Sequence, residues 1–226
     1  MRSRIAIVAA MARELRPLVR DWKLESSTGA VTVYCSELAI AAFAGIGAES
    51  ATRATAAALN QGPVHLLVSA GLAGGLHAGV AGGTVHPVKK VVDALTGEVY
   101  EPDISGDGGT LITAGHAASR EGKRALREQY DGDLVDMEAA TVARLARAKS
   151  IPFLAVKTVS DEYDFELPGM EGFITKDGQF REARFALHVA MRPWLWKPAA
   201  QMGRTSAAAA AALCRELAAV IDSHKK

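Results

Sequence analysis

The sequence predicts an α/β fold on an open sheet, and three observations carry that prediction. Apolar runs at residues 5–10, 64–70 and 153–156 have the near-continuous character of strands buried on both faces. Helix-forming segments separate them. Two short acidic stretches then fall just past strand-like segments: Asp136-Met137-Glu138-Ala139-Ala140, between residues 132–135 and a helix former at 139–148, and Val159-Ser160-Asp161, closing the run at 153–156. Ligands of open α/β sheets bind beyond the carboxyl ends of the strands. Glu138 and Asp161 are therefore expected to face one crevice from neighbouring strands.

A chain of 226 residues suffices for one large domain with a full core, and no Pro/Ser/Gly linker divides it. Hydrophobic residues make up 49% and charged residues 23%, an ordinary globular balance. The net charge of +1 gives no reason to expect nucleic acid, which needs clustered Lys and Arg. Cys35 and Cys214 are too few and too far apart for a disulfide framework, which suggests a reducing compartment. Met1-Arg2-Ser3-Arg4 before residues 5–10 has the outline of a signal peptide, but Arg13 and Glu14 break the run and a buried strand accounts for it better. No stretch reaches the ~18 apolar residues of a spanning helix, so a soluble, cytoplasmic protein is expected.

The elements follow in order. Residues 5–10 form a first, central strand. Pro17 fits the first turn of a helix beginning near Glu14, which leaves Glu14 at the strand exit; an acid there also complements the helix dipole. Residues 31–35 and 38–43 make a hairpin. Gly45-Ile46-Gly47 precedes a helix at about 49–60, a place where free N–H groups suit an anion or a ligand hydroxyl. Ser50 spoils any dinucleotide fingerprint. The strand at 64–70 exits into Gly71-Leu72-Ala73-Gly74-Gly75, where backbone can approach a ligand closely. Residues 84–92 read as one long strand, 93–109 as loop or hairpin, and 110–113 as a short strand. Ser119 caps a helix to Tyr130, with Glu121 and residues 123–127 on its wet face; His116 stands in the loop before it. Residues 163–178 read as loop, 179–191 as a helix, and about 205–221 as a last, alanine-rich helix.

Taken together, these residues resemble the nucleoside phosphorylase/nucleosidase superfamily, most closely its methylthioadenosine/S-adenosylhomocysteine nucleosidase branch. Residues 5–14 resemble that family's opening strand and its Met-x-x-Glu. Ala44-Gly45-Ile46-Gly47 resembles Ser-Gly-Ile-Gly, and Gly71-Leu72-Ala73-Gly74-Gly75-Leu76 resembles Gly-Ser-Ala-Gly-Gly-Leu. Val135-Asp136-Met137-Glu138-Ala139 resembles Val-Glu-Met-Glu-Ala, and Val159-Ser160-Asp161 resembles Ile-Ser-Asp. The resemblance implies one α/β domain spanning 1–226 with a mixed, barrel-like sheet flanked by helices, usually a homodimer, cleaving an N-glycosidic bond without metal or organic cofactor. It implies Asp161 as the acid at purine N7 and Glu14 as the base that activates water. Glu138 would hold ribose hydroxyls, Met137 would pack on the sugar, and Ile46, Gly47, Leu72, Ala73, Gly74 and Ser160 would complete the binding site.

Those roles suit the chemistry. A purine anion leaves poorly, so its side needs a proton donor while the opposite face needs a base for water. Two carboxyls whose environments differ can divide the work. Departures bear on the substrate: Leu72 replaces a serine, Lys157 replaces an arginine, and no aromatic between residues 115 and 136 is placed to stack on the base. The C-terminal helical extension at about 165–204 is longer than the methylthioadenosine enzymes need. Its Phe185, Met191, Trp194, Leu195, Trp196 and Met202, flanked by Arg192, Lys197 and Arg204, suit an apolar 5′ tail on the substrate or peripheral membrane contact through 185–202. This makes the family's hopanoid-associated branch, acting on adenosylhopane, a candidate. A phosphorylase using phosphate is the alternative, although the Pro-Gly-Asp-Pro-x-Arg opening of hexameric phosphorylases is missing. A non-catalytic nucleoside-binding protein is a third reading.

Overall fold

The computed structural model describes residues 3–104, 108–165, 170–175 and 177–224. The chain runs β1 (Arg4–Ala9), α1 (Ala12–Val19), β2 (Lys23–Thr28), β3 (Val31–Cys35), β4 (Ala39–Phe43), α2 (Ala48–Leu59) and β5 (Val64–Gly75). It continues through β6 (Val85–Pro87), β7 (Lys90–Asp93), β8 (Val99–Tyr100), β9 (Thr110–Thr113), α3 (Arg120–Tyr130) and β10 (Leu134–Asp136). It ends with α4 (Ala139–Lys149), β11 (Phe153–Asp161), α5 (Glu182–Ala190) and α6 (Pro193–Ser223). The result is a single-domain α/β fold with a mixed central sheet between helices. The sheet order is β2-β3-β4-β1-β5-β10-β9-β7-β8, with β11 paired to both β5 and β6.

The expected central strand is central: β1 lies between β4 and β5 and runs parallel to both. Successive side chains of a strand point to opposite faces, and both faces here are apolar. Ala6 and Val8 pack with Ala51, Ala54 and Ala58 of α2 and Val142 and Ala146 of α4. Ile5 and Ile7 pack with Leu15 of α1 and Leu213 and Leu217 of α6. Small alanines on α2 and α4 let those helices lie close to the sheet. Cys35 and Cys214 are both free thiols.

The strand expected to stop at Ala70 does not stop there. β5 continues through all the glycines to Gly75 and changes neighbours as it goes. Its first half pairs with β1 as far as Ser69. Near its end, Gly74 is the register partner of Val135 in β10 and of Asp161 in β11. The two acidic stretches therefore flank β5 rather than each other.

Other expectations also need correction. The strand expected at 84–92 is two strands in different pairings, β6 against β11 and β7 against β9. The sequence reading omits β2, because its residues are mostly exposed and carry no apolar alternation; it is an edge strand zipped onto β3. The last helix starts at Pro193 rather than near 205, running through Pro198 and Gly203. Pro193 suits a first helical position. The buried Leu195, and a hydrogen bond from Trp196 Nε1 to the Val189 carbonyl of 3.0 Å, fix this start against α5. Tertiary packing of this kind outweighs propensity. Part of the loop expected at 163–178 and of the region 93–109 lies outside the described residues.

Leu213 is fully buried between α6 and the sheet. Leu213→Ala should cost about 2–5 kcal/mol in urea unfolding; a loss well under 1 kcal/mol would show that α6 adds little to this core.

Candidate active site

Three local features aim the acids. The α1 helix begins at Ala12, earlier than expected, so Glu14 falls in its first turn, and its Oε2 accepts a hydrogen bond from the Met11 backbone N–H at 3.4 Å. Glu14 is nonetheless buried. The facing strand makes room for it with a glycine at residue 71: φ is +146°, and a Cβ there would lie 3.2 Å from Glu14 Oε2. Glu138 stands in the turn between β10 and α4, where its Oε1 accepts from Gly47 N–H at 2.7 Å and its Oε2 from Met137 N–H at 3.3 Å. Asp161 ends β11 just after a register shift between Val159 and Asp161. Bulges re-aim side chains next to functional sites, and this one turns Asp161 into the pocket.

That pocket is a cavity of about 210 Å³. Glu14, Glu138 and Asp161 all line it, together with Ile46, Leu72, Ala73, Gly74, Met137 and Ser160. Nine of the ten residues expected at the site therefore share one cavity. The tenth, Gly47, reaches it through its hydrogen bond to Glu138. The expectation that the Gly45-Ile46-Gly47 amides are open to an anion is not met. Gly45 N–H donates to the Ala10 carbonyl at 2.9 Å, Ile46 N–H to the Gly178 carbonyl at 2.8 Å, and Gly47 N–H to Glu138.

The electrostatics centre on a lysine. Lys157, in mid-strand β11, is 1% exposed and places Nζ 2.9 Å from Asp136 Oδ2. Asp136 also accepts from Thr113 Oγ1 at 2.7 Å and from Ala139 N–H at 2.9 Å. Burial works against the charge on Lys157, but Asp136, Glu138 and Glu14 together outweigh it and hold the ammonium above its ordinary range. The two glutamates are less well compensated. Burial, then repulsion from Glu138, lifts Glu14 to about 7 against the pull of Lys157. Burial, then repulsion from Asp136, lifts Glu138 to about 7 against Lys157 and its two backbone donors.

At the other end of the cavity, Asp161 Oδ1 accepts from Ser160 Oγ at 2.6 Å and Oδ2 from Lys123 Nζ at 2.5 Å. Lys123 was expected on the wet face of α3; it is buried instead. Its helical neighbours carry the signal. Leu126, Arg127 and Tyr130 follow it at three, four and seven residues and are all partly buried. The sequence reading also gives no site role to Arg13, Ile174, Phe180 or Ser206, which line the cavity. Arg13 pairs with Glu182 at 2.9 Å and lies 5.4 Å above the Phe180 ring.

The family model of the phosphorylase superfamily matches residues 4–107 and 105–190. The chain belongs to that superfamily. No curated protein matches it by sequence. Solved structures share its shape. A mutant MTAN of Helicobacter pylori with 5′-methylthioadenosine in its active site superposes with a TM-score of 0.73 at 16% identity, over 99% of this chain and 100% of that one. The 5′-methylthioadenosine/S-adenosylhomocysteine nucleosidase of Neisseria meningitidis, in complex with methylthio-immucillin-A, gives 0.72 at 21% identity over 98% and 100%. Futalosine hydrolase of Helicobacter pylori gives 0.66 at 18% identity over 93% and 95%. At such identities the likeness establishes the fold.

Lys157→Met should cost about 3–5 kcal/mol, because it leaves Asp136 buried without its counter-charge. Adding Asp136→Asn should recover part of the loss in urea unfolding. A single variant as stable as the wild type would mean that the pair contributes nothing to the fold.

Proposed function

We propose that the chain hydrolyses the N-glycosidic bond of a purine nucleoside carrying an apolar 5′ substituent. The observation that carries this reading is one cavity lined by Glu14, Glu138 and Asp161, with the two glutamates lifted to about 7. Glu14, lifted to about 7 by burial and by Glu138, can take up and release a proton near neutral pH, as a general base for water should. Glu138, fixed by two backbone donors, accepts hydrogen bonds from ribose hydroxyls, and the Met137 thioether packs on the sugar. The Asp161 end, with Ser160 and Lys123, meets the leaving base. Met11, Ile46, Ile174, Phe180 and Met202 give the cavity apolar walls that suit an apolar group on the 5′ carbon.

Hydrolysis fits this site better than phosphorolysis. The glycine-segment amides are already taken by protein acceptors, and a phosphate dianion in this cavity would add negative charge beside two glutamates already lifted by burial and by neighbouring carboxylates. Simple nucleoside binding needs no acid tuned to neutrality, and such tuning clusters at catalytic centres.

Base release from adenosine and 5′-methylthioadenosine, with and without phosphate, tests the reading. Release should be independent of phosphate and yield free sugar; a sugar 1-phosphate product would reassign the chain to the phosphorylases. The kcat/KM should rise as pH climbs through about 7, where Glu14 ionises, and Glu14→Gln should lose about 10²–10⁴-fold.

Stability should move the other way with pH. The folded state keeps a proton on Glu14 that the unfolded chain releases near its ordinary 4.5. The contribution of Glu14 to stability is therefore present below that value and lost as pH rises through about 7. In thermal melts Glu14→Gln should be more stable than wild type at pH 8, by roughly 1–3 kcal/mol, with the gain shrinking toward pH 5. A gain that grew toward acid would contradict the assignment.

A further inference from the structure

The corner between α5 and α6 exposes apolar surface that the active site does not use. Among the described residues nine large hydrophobic side chains are exposed, and four of them, Leu187, Met191, Trp194 and Trp196, fall within ten residues. Leu187 and Met191 stand one turn apart at the end of α5 and so share a face. Trp194 and Trp196 open α6, 72% and 56% exposed. Leu195, between them, is buried. The corner is thus anchored from inside and bare outside.

Charge indicates what surface fits it. Residues 183–204 carry Arg184, Arg192, Lys197 and Arg204 and no acid. That stretch is +4 in a chain of net charge +1, so the remaining residues sum to −3. The acid just before it, Glu182, is already paired with Arg13. Arg192 and Lys197 bracket the two tryptophans in sequence, and long basic side chains can keep their charge in water while their stems follow apolar surface. The Trp196 indole N–H already donates to the Val189 carbonyl at 3.0 Å. An indole has one donor and no acceptor, so this ring enters an apolar phase without losing a hydrogen bond.

We propose that this corner docks on the surface of an anionic lipid bilayer, its four apolar side chains in the interface and its four basic ones among the headgroups. Among the described residues no helix is long and apolar enough to cross a membrane. The contact lies in the plane of the interface, where aromatic and basic side chains combine apolar burial with attraction to anionic lipid. The docking face is built on elements that also wall the cavity, through Phe180 just before α5 and Met202 and Ser206 in α6. Docking is independent of base release: vesicle binding needs no substrate, so either can fail alone.

The test is co-flotation of the full chain with vesicles of equimolar phosphatidylglycerol and phosphatidylcholine, and of phosphatidylcholine alone, at low and high salt. Wild type should float with the anionic vesicles, less with the neutral ones, and lose the difference in high salt. Arg184→Gln/Lys197→Gln should weaken anionic binding by about 10–30-fold, roughly 5-fold per charge. Leu187→Ser/Met191→Ser/Trp194→Ser should abolish binding to both. The charge variant keeps every apolar side chain, so it decides the matter even where the triple variant misfolds. Wild type that floats with neither vesicle, or equally with both, overturns the proposal, as does a folded variant of either kind that floats as well as wild type. A wild-type dimer that the triple variant turns into a monomer in analytical ultracentrifugation also overturns it, because a second copy then covers the corner.

Discussion

The site depends on a single buried ion pair, Lys157 with Asp136. Three carboxylates are packed around one ammonium in an interior where each charge would alone be costly. Asp136 secures the lysine at 2.9 Å and is further held by Thr113 and Ala139. Glu14 and Glu138 receive only what attraction remains, so burial, with repulsion from Glu138 on Glu14 and from Asp136 on Glu138, lifts both to about 7. The division matters chemically. A cluster with two lysines would leave both glutamates ordinary, always ionised and weakly basic. A cluster with none would keep them protonated. One cation among three acids leaves the glutamates titrating as an interacting pair close to neutrality, which is the condition for a group that must take a proton from water and return it.

Position comes from β5. It begins as an ordinary buried strand beside β1 and ends as a glycine-rich strip with β10 on one edge and β11 on the other. Gly71 gives way to Glu14, while Gly74 gives way to Asp161 and Lys123. The same short segment thus clears space at both ends of the cavity, and the strand holds those ends at a fixed separation. Side chains on a strand are placed more precisely than side chains on loops.

Much of this is legible in the sequence, and the limits have physical causes. Glu138 and Asp161 announce themselves because each follows a strand-like run closely, and the ends of such runs lie at one edge of an open sheet. The continuous apolar character of β1 marks it as central. Three features stay hidden. β2 is polar because it is an edge, so the alternation that reveals strands is missing. The glycines of β5 read as an exit because glycine usually ends strands, whereas close packing of acids against the backbone requires it within one. Lys123 reads as surface because lysine almost always is; only Leu126 and Tyr130 on the same stripe show that the helix turns that face inward. The tuning of Glu14 has no local signature, since it arises from Glu138 and Lys157, far away in the chain.

The same charges that suit the site for chemistry weaken the fold, and the architecture shows where the compensation lies. Glutamates lifted to about 7 are less stable ionised inside the protein than in water. The apolar layer beside Glu14 is fully buried in large part. Leu15 of α1, next to Glu14 in the chain, packs in one cluster with Leu213, Cys214 and Leu217 of α6, and the Cys214 thiol reaches the Glu14 carbonyl at 3.5 Å. The long final helix therefore backs the helix that carries Glu14. Its second half belongs to the machinery by packing alone, while its first half supplies Met202 and Ser206 to the cavity wall. A change in α6 that loosened its hold on α1 would act on the burial of Glu14, the largest cause of its lift, and water admitted at that carboxylate would return it toward an ordinary acid.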